Sequence, residues 1–172
     1  AEGDCALFPD AVTERGTKKY PGDALRRAMA RTGSEIGVSA HEDFTIYGLR
    51  TTPDRVDSTW SIYADRLLQP TLSPGDFGFV RESRVAGVSQ REDSPDALLD
   101  YLADSVAFAG TPYALSPVGT ARSLGRITLE QVQEFHRTQM VRSRMLLVIV
   151  GNLPRARIES LVRQSLATLP MG

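Results

Sequence analysis

Histidine and cysteine, the side chains that most often bind zinc in proteins, are scarce in this sequence of 172 residues. His41 and His136 are the only histidines and stand 95 positions apart, and Cys5 is the only cysteine. A zinc hydrolase commonly holds its metal with two imidazoles one helical turn apart and a third protein ligand. Because neither histidine has a partner at such a spacing, we expect His41 to be a solvated turn residue and His136 to be a boundary residue on a helix, between Phe135 and Arg137.

Other chemistries are equally poorly supported by the residue types. The serines have no partner base beyond the two isolated histidines, and Cys5 has no neighbouring histidine, so neither a triad nor an activated thiolate is indicated. No glycine-rich phosphate-binding motif occurs. The net charge is −1 and no basic block is interleaved with aromatic residues, which argues against nucleic-acid binding.

The periodicity of apolar residues predicts a helix-rich chain with few strands. Helices are expected to begin near residues 23, 54, 77, 95, 128 and 154. Strands are expected over Ile36–Ala40, Asp43–Arg50 and Met145–Val150, the first two forming an antiparallel hairpin. Since the strands are mostly not separated by single helices, the pattern favours the α+β class. The run Met145–Val150 is also the longest apolar run, which is too short to span a membrane.

Three of these helices carry more detailed predictions. The helix after Asp54 has a core-facing stripe made of Val56, Trp60, Tyr63, Ala64 and Leu67. In the helix that begins at Pro95, we expect Leu98, Leu102 and Val106 to point inward. Thr128 and Gln131 have the spacing of a capping box at a helix start. Residues 110–125, with several Gly and Pro, are expected to form a long surface loop.

Several phrases in the chain resemble, in order and at similar spacing, those of the insulinase/pitrilysin type of zinc peptidase, which includes the mitochondrial processing peptidase. The phrases are Arg15-Gly-Thr-Lys-Lys-Tyr-Pro-Gly22, Gly33-Ser-Glu-Ile-Gly-Val38, Asp43-Phe-Thr-Ile-Tyr47, Arg91-Glu-Asp-Ser-Pro-Asp96, Phe108-Ala-Gly-Thr-Pro-Tyr113, Pro117-Val-Gly-Thr120 and Arg144-Met-Leu-Leu-Val-Ile-Val-Gly-Asn152. Each phrase alone is weak, but together they extend from about residue 10 to residue 170.

The resemblance implies an α+β fold with a mixed, largely antiparallel sheet and helices packed on one side. It implies that residues 1–172 form a single insulinase/pitrilysin-like domain that lacks the family's initial strands and its second half. In this family two related units close around a chamber, so a homo- or hetero-oligomer with a related peptidase subunit is expected. An open sheet edge and an uncovered apolar patch would promote such an association.

The resemblance also locates the family's zinc site. Family members bind zinc through two histidines and a glutamate, and a further glutamate acts as base on the metal-bound water. Aligned on Gly16-Thr17, the histidine positions are Leu7 and Ala11 and the base position is Asp10; the ligand glutamate falls at Gly87, which is 76 positions after Ala11. The resemblance therefore implies that the metal-binding residues have been replaced, and we expect no zinc or other cofactor.

A peptide-binding edge is the remaining feature that the resemblance suggests. In the family, a strand with an Asn-Ala pair binds extended substrate backbone by strand addition. Gly37 and Val38 occupy those positions here, so the backbone amides remain while the asparagine side chain does not.

Three functions stay open from the sequence. The leading one is a non-catalytic partner half or subunit of an active zinc peptidase. The second is an independent peptide-binding or scaffold module, and the third is an active zinc peptidase that uses residues outside this segment. The sequence leaves the cytoplasm and the bacterial periplasm both open as locations.

Overall fold

The computed structural model of the chain describes residues 16–21, 23–71 and 73–172. The helices are α1 (Asp23–Thr32), α2 (Val56–Leu68), α3 (Pro74–Glu92), α4 (Pro95–Ala107), α5 (Ala121–Arg126), α6 (Leu129–Gln139) and α7 (Arg155–Gln164), and the strands are β1 (Glu35–Ala40) and β2 (Thr45–Arg50). Short 3₁₀ turns lie at Pro112–Ala114, Arg142–Arg144 and Leu166–Thr168. In this part of the chain no helix is both long and apolar enough to cross a membrane.

The chain divides into two compact units. Of the described residues, the first unit contains Val38–Ile46 and 73–133, and the second contains 16–37, Tyr47–Thr71 and Glu134–Gly172. In the first unit, α3 packs against α4 and α5. Its apolar core is formed by Phe77, Val80, Val88, Leu124, Ile127 and Val132, all of which are buried.

Helix α2 is the centre of the second unit. The stripe predicted for this helix is confirmed, since Val56, Trp60, Tyr63, Ala64 and Leu67 are all buried. Helix α1 packs against α2 and buries Leu25. Trp60 donates its indole N–H to the carbonyl of Leu161 at 3.2 Å and to Ser165 Oγ at 3.0 Å, which ties α2 to the end of the chain without leaving the buried N–H unsatisfied.

Helix starts follow the capping chemistry of the sequence. Ser73 Oγ accepts from the amide of Asp76 at 3.1 Å, and Pro74 follows as the first helical residue of α3. The predicted capping box is confirmed, because the amide of Thr128 donates to Gln131 Oε1 at 2.8 Å and the amide of Gln131 donates to Thr128 Oγ1 at 3.3 Å. The predicted loop over residues 110–125 is partly wrong, because its last residues begin α5 with a second capping box between Thr120 and Ser123.

The α+β class is confirmed, with β1 and β2 paired in a two-stranded antiparallel sheet. The predicted strand over Met145–Val150 is wrong as a strand, since these residues make no ladder with any described residue. Leu146 is 89% exposed and Val150 is 93% exposed, while the alternate residues are covered to a greater degree. A β-strand is defined by backbone hydrogen bonds to a second strand. No strand among the described residues forms such bonds with Met145–Val150.

The orientation of α4 also differs from its prediction. Its bounds agree with the sequence, but Leu102 and Val106 are exposed rather than inward, and no α4 residue is fully buried. Leu98, the third residue predicted to point inward, is partly covered, as are Tyr101 and Ser105. The i, i+4, i+8 spacing of Leu98, Leu102 and Val106 identifies an apolar face of a helix, but it does not tell which neighbour covers that face.

Candidate functional site

Gly87, the position aligned with the family's ligand glutamate, lies in the middle of α3. It is exposed, and a Cβ atom added to it would meet no heavy atom within 4 Å. The site therefore has room for a side chain, but a glycine supplies no ligand atom. Leu7, Asp10 and Ala11, the other three positions of the aligned zinc site, lie outside the described residues.

A cleft of about 330 Å³ lies over Gly87. The described residues that line it are Val80, Ser83, Arg84, Gly87, Val88, Arg91 and Val118. Two guanidinium groups and one hydroxyl are its polar groups, and no carboxylate is among the described lining residues. Such an arrangement is electrostatically unfavourable for a divalent cation, because like charges at short range repel.

Arg91 is held firmly in this cleft. Its Nη1 donates to Ser116 Oγ at 3.1 Å, its Nη2 donates to the carbonyl of Gly119 at 3.3 Å, and its guanidinium lies 5.1 Å from the centre of the Tyr101 ring. Gly119 has a φ of +77°, which glycine adopts at little cost. Arg91 thus fixes the loop that precedes α5, and its positive charge stays next to Gly87.

Glu82, the nearest acidic residue before Gly87 on α3, does not face the cleft. It is exposed and lies five residues before Gly87 on α3, so its side chain projects about 140° away around the helix axis. Accordingly, it is not among the residues that line the cleft.

Both histidines occupy structural positions. His41 lies in the β1–β2 turn, with Nε2 3.2 Å from Ser39 Oγ and its ring 4.9 Å from that of Phe44. His136 Nε2 donates to the carbonyl of Leu67 at 2.8 Å, at the C-terminal end of α2 where carbonyls lack helical partners. Within the described part of the chain, no three His, Cys, Asp or Glu residues are grouped so as to hold a metal ion.

Gly37 and Val38, the predicted peptide-binding residues, lie in β1. Among the described residues this strand pairs only with β2, and no other described strand hydrogen-bonds to its second edge. Gly37 is exposed and Val38 is partly covered. Across the hairpin, the carbonyl of Gly37 is 3.8 Å from the place where Gly48 would carry a Cβ.

A second cleft, of about 590 Å³, lies in the unit built around α2, and nothing in the sequence pattern pointed to it. Its walls include Lys19, Asp57, Trp60, Asp65 and Arg157. Arg157 Nη2 forms an ion pair with Asp57 Oδ2 at 2.8 Å, and Asp65 accepts a hydrogen bond from Thr17. The Asp57 carboxylate raises the pKa of Arg157. Lys19 donates to Ser61 Oγ at 3.5 Å, so each of these charged groups has a polar partner, and the cleft is explained as a polar seam between α2 and α7.

Two buried polar side chains on α2 have shifted pKa values. Burial raises the pKa of Tyr63 to about 12, and its hydroxyl donates to the carbonyl of Tyr47 at 2.8 Å. Burial lowers the pKa of Arg66 to about 10, and Arg66 Nε has no hydrogen-bond partner in the described structure. The sequence pattern did not indicate Arg66, since arginine on a helix is usually solvated.

Comparison with protein families gives two matches along the chain. The sequence model of the insulinase family (peptidase family M16) matches residues 5–121, and the model of the peptidase M16 inactive domain matches residues 126–171. An uncharacterized zinc protease of Mycobacterium leprae is 21% identical over 159 residues, which cover 92% of this chain and 36% of that protein. Subunit 1 of the mitochondrial cytochrome b-c1 complex of Caenorhabditis elegans is 25% identical over 146 residues, covering 85% of this chain and 31% of that protein.

Solved structures share the fold. A peptidase M16 inactive domain from Pseudomonas fluorescens superposes with a TM-score of 0.90 and 24% identity, over 100% of this chain and 42% of that one. The first half of the periplasmic protease PqqL from Escherichia coli gives a TM-score of 0.83 and 16% identity, over 98% and 37%. The chain thus spans about a third of the length of the curated relatives it matches.

Proposed function

This chain belongs to the insulinase family, peptidase family M16, and from that premise we propose that it is a non-catalytic partner half or subunit of an active zinc peptidase. The observation that carries the proposal is Gly87. A glycine at the ligand position leaves the metal without its carboxylate, and Arg84 and Arg91 bring positive charge to the same cleft. The alignment adds that Leu7, Asp10 and Ala11 replace the two histidines and the base.

The relatives support a role within a larger assembly. One is a subunit of the cytochrome b-c1 complex, and one solved structure is the first half of a longer protease. A unit that binds no metal can still provide contact surface in an assembly of this kind. The exposed apolar residues of Met145–Val150 and of α4 are consistent with surfaces that a partner covers.

Co-purification tests this proposal. The chain is produced together with a relative from the same organism that retains the H-x-x-E-H motif, and the complex is assayed for zinc and for peptide cleavage. We expect one stable complex whose zinc and activity depend on the relative's histidines. Failure of the two proteins to associate, or peptide cleavage by the chain alone, would contradict the proposal.

Peptide binding without cleavage is a second candidate, and the unpaired edge of β1 favours it. An extended peptide that adds to this edge gains backbone hydrogen bonds whatever its sequence. On titration with an extended peptide, the NMR amide signals of Gly37 and Val38 should shift before those of α7. Shifts confined to other parts of the chain would exclude the β1 edge as the binding site.

The third hypothesis, an active peptidase with ligands from outside residues 1–172, predicts zinc in the longer protein. Substitutions distinguish this hypothesis from the leading one. If the third hypothesis holds, substitutions outside residues 1–172 of the same polypeptide would remove both the metal and the activity.

A further inference from the structure

The cleft over Gly87 combines apolar walls with cationic side chains. Its lining residues from α3 lie on one face of the helix, because they recur at intervals of three and four residues: Val80, Ser83, Arg84, Gly87, Val88 and Arg91. Val118, from the loop before α5, is the remaining described lining residue. Three valine side chains therefore surround a space into which two arginines and one serine bring their polar groups.

Gly87 keeps the middle of this face open. It lies three residues after Arg84 and four residues before Arg91, which is about one helical turn from each. A Cβ atom added to Gly87 would meet no heavy atom within 4 Å. A ligand group can therefore enter between the two arginines, at the position where any other residue would place its side chain.

Arg91 is held in place and has hydrogen-bond donors to spare. Nη1 donates to Ser116 Oγ and Nη2 donates to the carbonyl of Gly119, while the guanidinium stacks near the Tyr101 ring. A guanidinium has five N–H groups, and these two bonds to neutral oxygens use two of them. Within the described part of the chain, its charge thus has no carboxylate partner. A side chain fixed in this way loses little conformational entropy when it binds a ligand.

We propose that the cleft over Gly87 binds a carboxylate group of a peptide or partner polypeptide, with Arg91 donating to the carboxylate oxygens. Charge-assisted hydrogen bonds from arginine to carboxylate are among the stronger polar contacts in proteins. Arg84 adds positive charge to the same cleft while it makes an interaction of its own, so Arg91 is the residue that we expect to contact the ligand.

The shape and polarity of the cleft favour a carboxylate over a phosphate. The planar guanidinium matches a planar carboxylate, and the valines can cover the aliphatic carbons that carry it. A phosphate has no apolar part to cover and would lose its hydration against these walls. The volume of about 330 Å³ is at the small end of the range for ligand pockets, about 300–1,000 Å³, which suits one side chain or chain terminus.

The inference deepens the proposed function and rests on its premise that this cleft holds no metal. A positively charged cleft without a metal can still bind the acidic group of a polypeptide that it does not cleave. The partner or peptide is thereby identified by one chemical feature, a carboxylate that reaches the α3 face around Gly87.

Titration of the full 172-residue chain with short peptides, in the presence of a chelator, tests the proposal. The first peptide is blocked at both ends and contains one glutamate; the second has glutamine in its place; the third has the glutamine and a free C-terminal carboxylate. We expect the glutamate peptide to shift the NMR amide signals of Gly87 and Val88 and the Nε–H signal of Arg91. The glutamine peptide should bind about tenfold more weakly, and added NaCl should weaken the glutamate peptide.

The third peptide distinguishes the two sources of a carboxylate. Binding of the first peptide alone would identify an acidic side chain, and tighter binding of the third would identify a chain terminus; either result supports the site. Equal binding of the glutamate and glutamine peptides, or no binding of either carboxylate peptide at millimolar concentration, would overturn the proposal.

Two variants locate the binding. Gly87→Leu should abolish it by filling the cleft, and the fold should persist because the added side chain has space and leucine favours a helix. The control Gly75→Leu changes an exposed glycine of α3 outside the cleft and should leave affinity unchanged. Arg91→Gln should weaken binding about tenfold, whereas Arg122→Gln removes the same charge at an exposed position of α5 and should not. Undiminished binding by Gly87→Leu would exclude this cleft.

Zinc analysis of the same samples separates this inference from the proposed function. If the chain is free of zinc and assembles with its H-x-x-E-H relative but binds neither carboxylate peptide, the function stands and the inference fails. If the zinc-free chain binds the glutamate peptide but does not assemble with the relative, the inference stands and the function fails. Peptide binding that requires zinc and is lost with the chelator would contradict both.

Discussion

At the scale of single residues, Tyr63 makes a stability prediction that depends on pH. Its phenol is buried, its hydroxyl donates to the carbonyl of Tyr47, and burial raises its pKa to about 12. Because the folded-state pKa lies above the unfolded one, the neutral phenol stabilises the fold fully below about pH 10. That contribution is lost as pH rises toward 12.

The substitution Tyr63→Phe isolates this effect. At pH 7 the variant should be less stable by about 1 kcal/mol, because the hydrogen bond from the Tyr63 hydroxyl to the carbonyl of Tyr47 is lost. Between pH 10 and 12 the wild-type protein should lose about 2–3 kcal/mol of its free energy of unfolding relative to the variant, because only the wild type has a phenol to ionise at position 63. Urea unfolding at several pH values measures it, and a stability difference that stays constant with pH would contradict the account.

We predict that replacing Arg66, on the same helix as Tyr63, stabilises the fold. Its guanidinium is buried, its Nε has no partner in the described structure, and burial lowers its pKa to about 10. A largely buried guanidinium with one nitrogen that lacks a hydrogen bond costs free energy that an apolar side chain of similar volume does not. Arg66→Met should therefore raise the free energy of unfolding by about 1–3 kcal/mol, whereas Arg163→Met, on an exposed surface, should change it little. A less stable Arg66→Met protein would imply a partner for the guanidinium.

Restoring the aligned zinc site tests the alignment residue by residue. Leu7→His, Asp10→Glu, Ala11→His and Gly87→Glu should together create zinc affinity, in a chain that includes the strands which precede this segment in the family. The space beside Gly87 admits the glutamate, which also improves the helix by roughly 0.5–1 kcal/mol. Arg84 and Arg91 should keep the affinity below that of an active relative. The matched variant with Gly87→Gln should bind zinc more weakly, and no zinc uptake by the folded quadruple variant would disprove the alignment.

At the scale of elements, we predict that the chain associates with itself through Met145–Val150. Two of its aliphatic side chains are almost fully exposed and its backbone has no ladder partner among the described residues, which is the arrangement that promotes edge-to-edge pairing. Leu146→Lys with Val150→Lys should abolish self-association in sedimentation experiments. The control Asn152→Lys with Ala156→Lys adds the same charge at nearby exposed positions and should not. A wild-type chain that is a monodisperse monomer with a sharp cooperative melt would contradict this account of the segment.

The sequence predicted elements better than it predicted their surroundings. The α2 stripe, the hairpin and the Thr128–Gln131 box were all correct, because each depends on residues a few positions apart. Met145–Val150 and the face of α4 were wrong for one common reason. Both predictions needed a neighbour from elsewhere, and an apolar pattern shows that a surface is to be covered without showing what covers it.

The site was predictable to a similar extent. The sequence located Gly87 on a helix and excluded both histidines as a metal pair, and the structure gives each histidine a structural hydrogen bond. The sequence did not indicate that Arg91 lies in the cleft over Gly87 or that Arg66 is buried. Those facts depend on tertiary packing between segments far apart in sequence.

At the scale of the whole molecule, the two units share one family assignment but differ in what they offer to a partner. The first unit carries the cleft over Gly87 and the exposed face of α4, and the second carries Met145–Val150, which pairs with no strand in the part of the chain that the structure describes. Under the proposed function, a chain that has its family's fold and exposes apolar surface contributes to assembly more than to chemistry.

Zinc analysis of the purified protein tests this account most directly. The chain is produced with zinc in the medium, dialysed against metal-free buffer and measured for metal per polypeptide, beside an active relative treated in the same way. The account predicts stoichiometric zinc in the relative and none in this chain. One tightly bound zinc per chain, released when residues within this segment are changed, would contradict it.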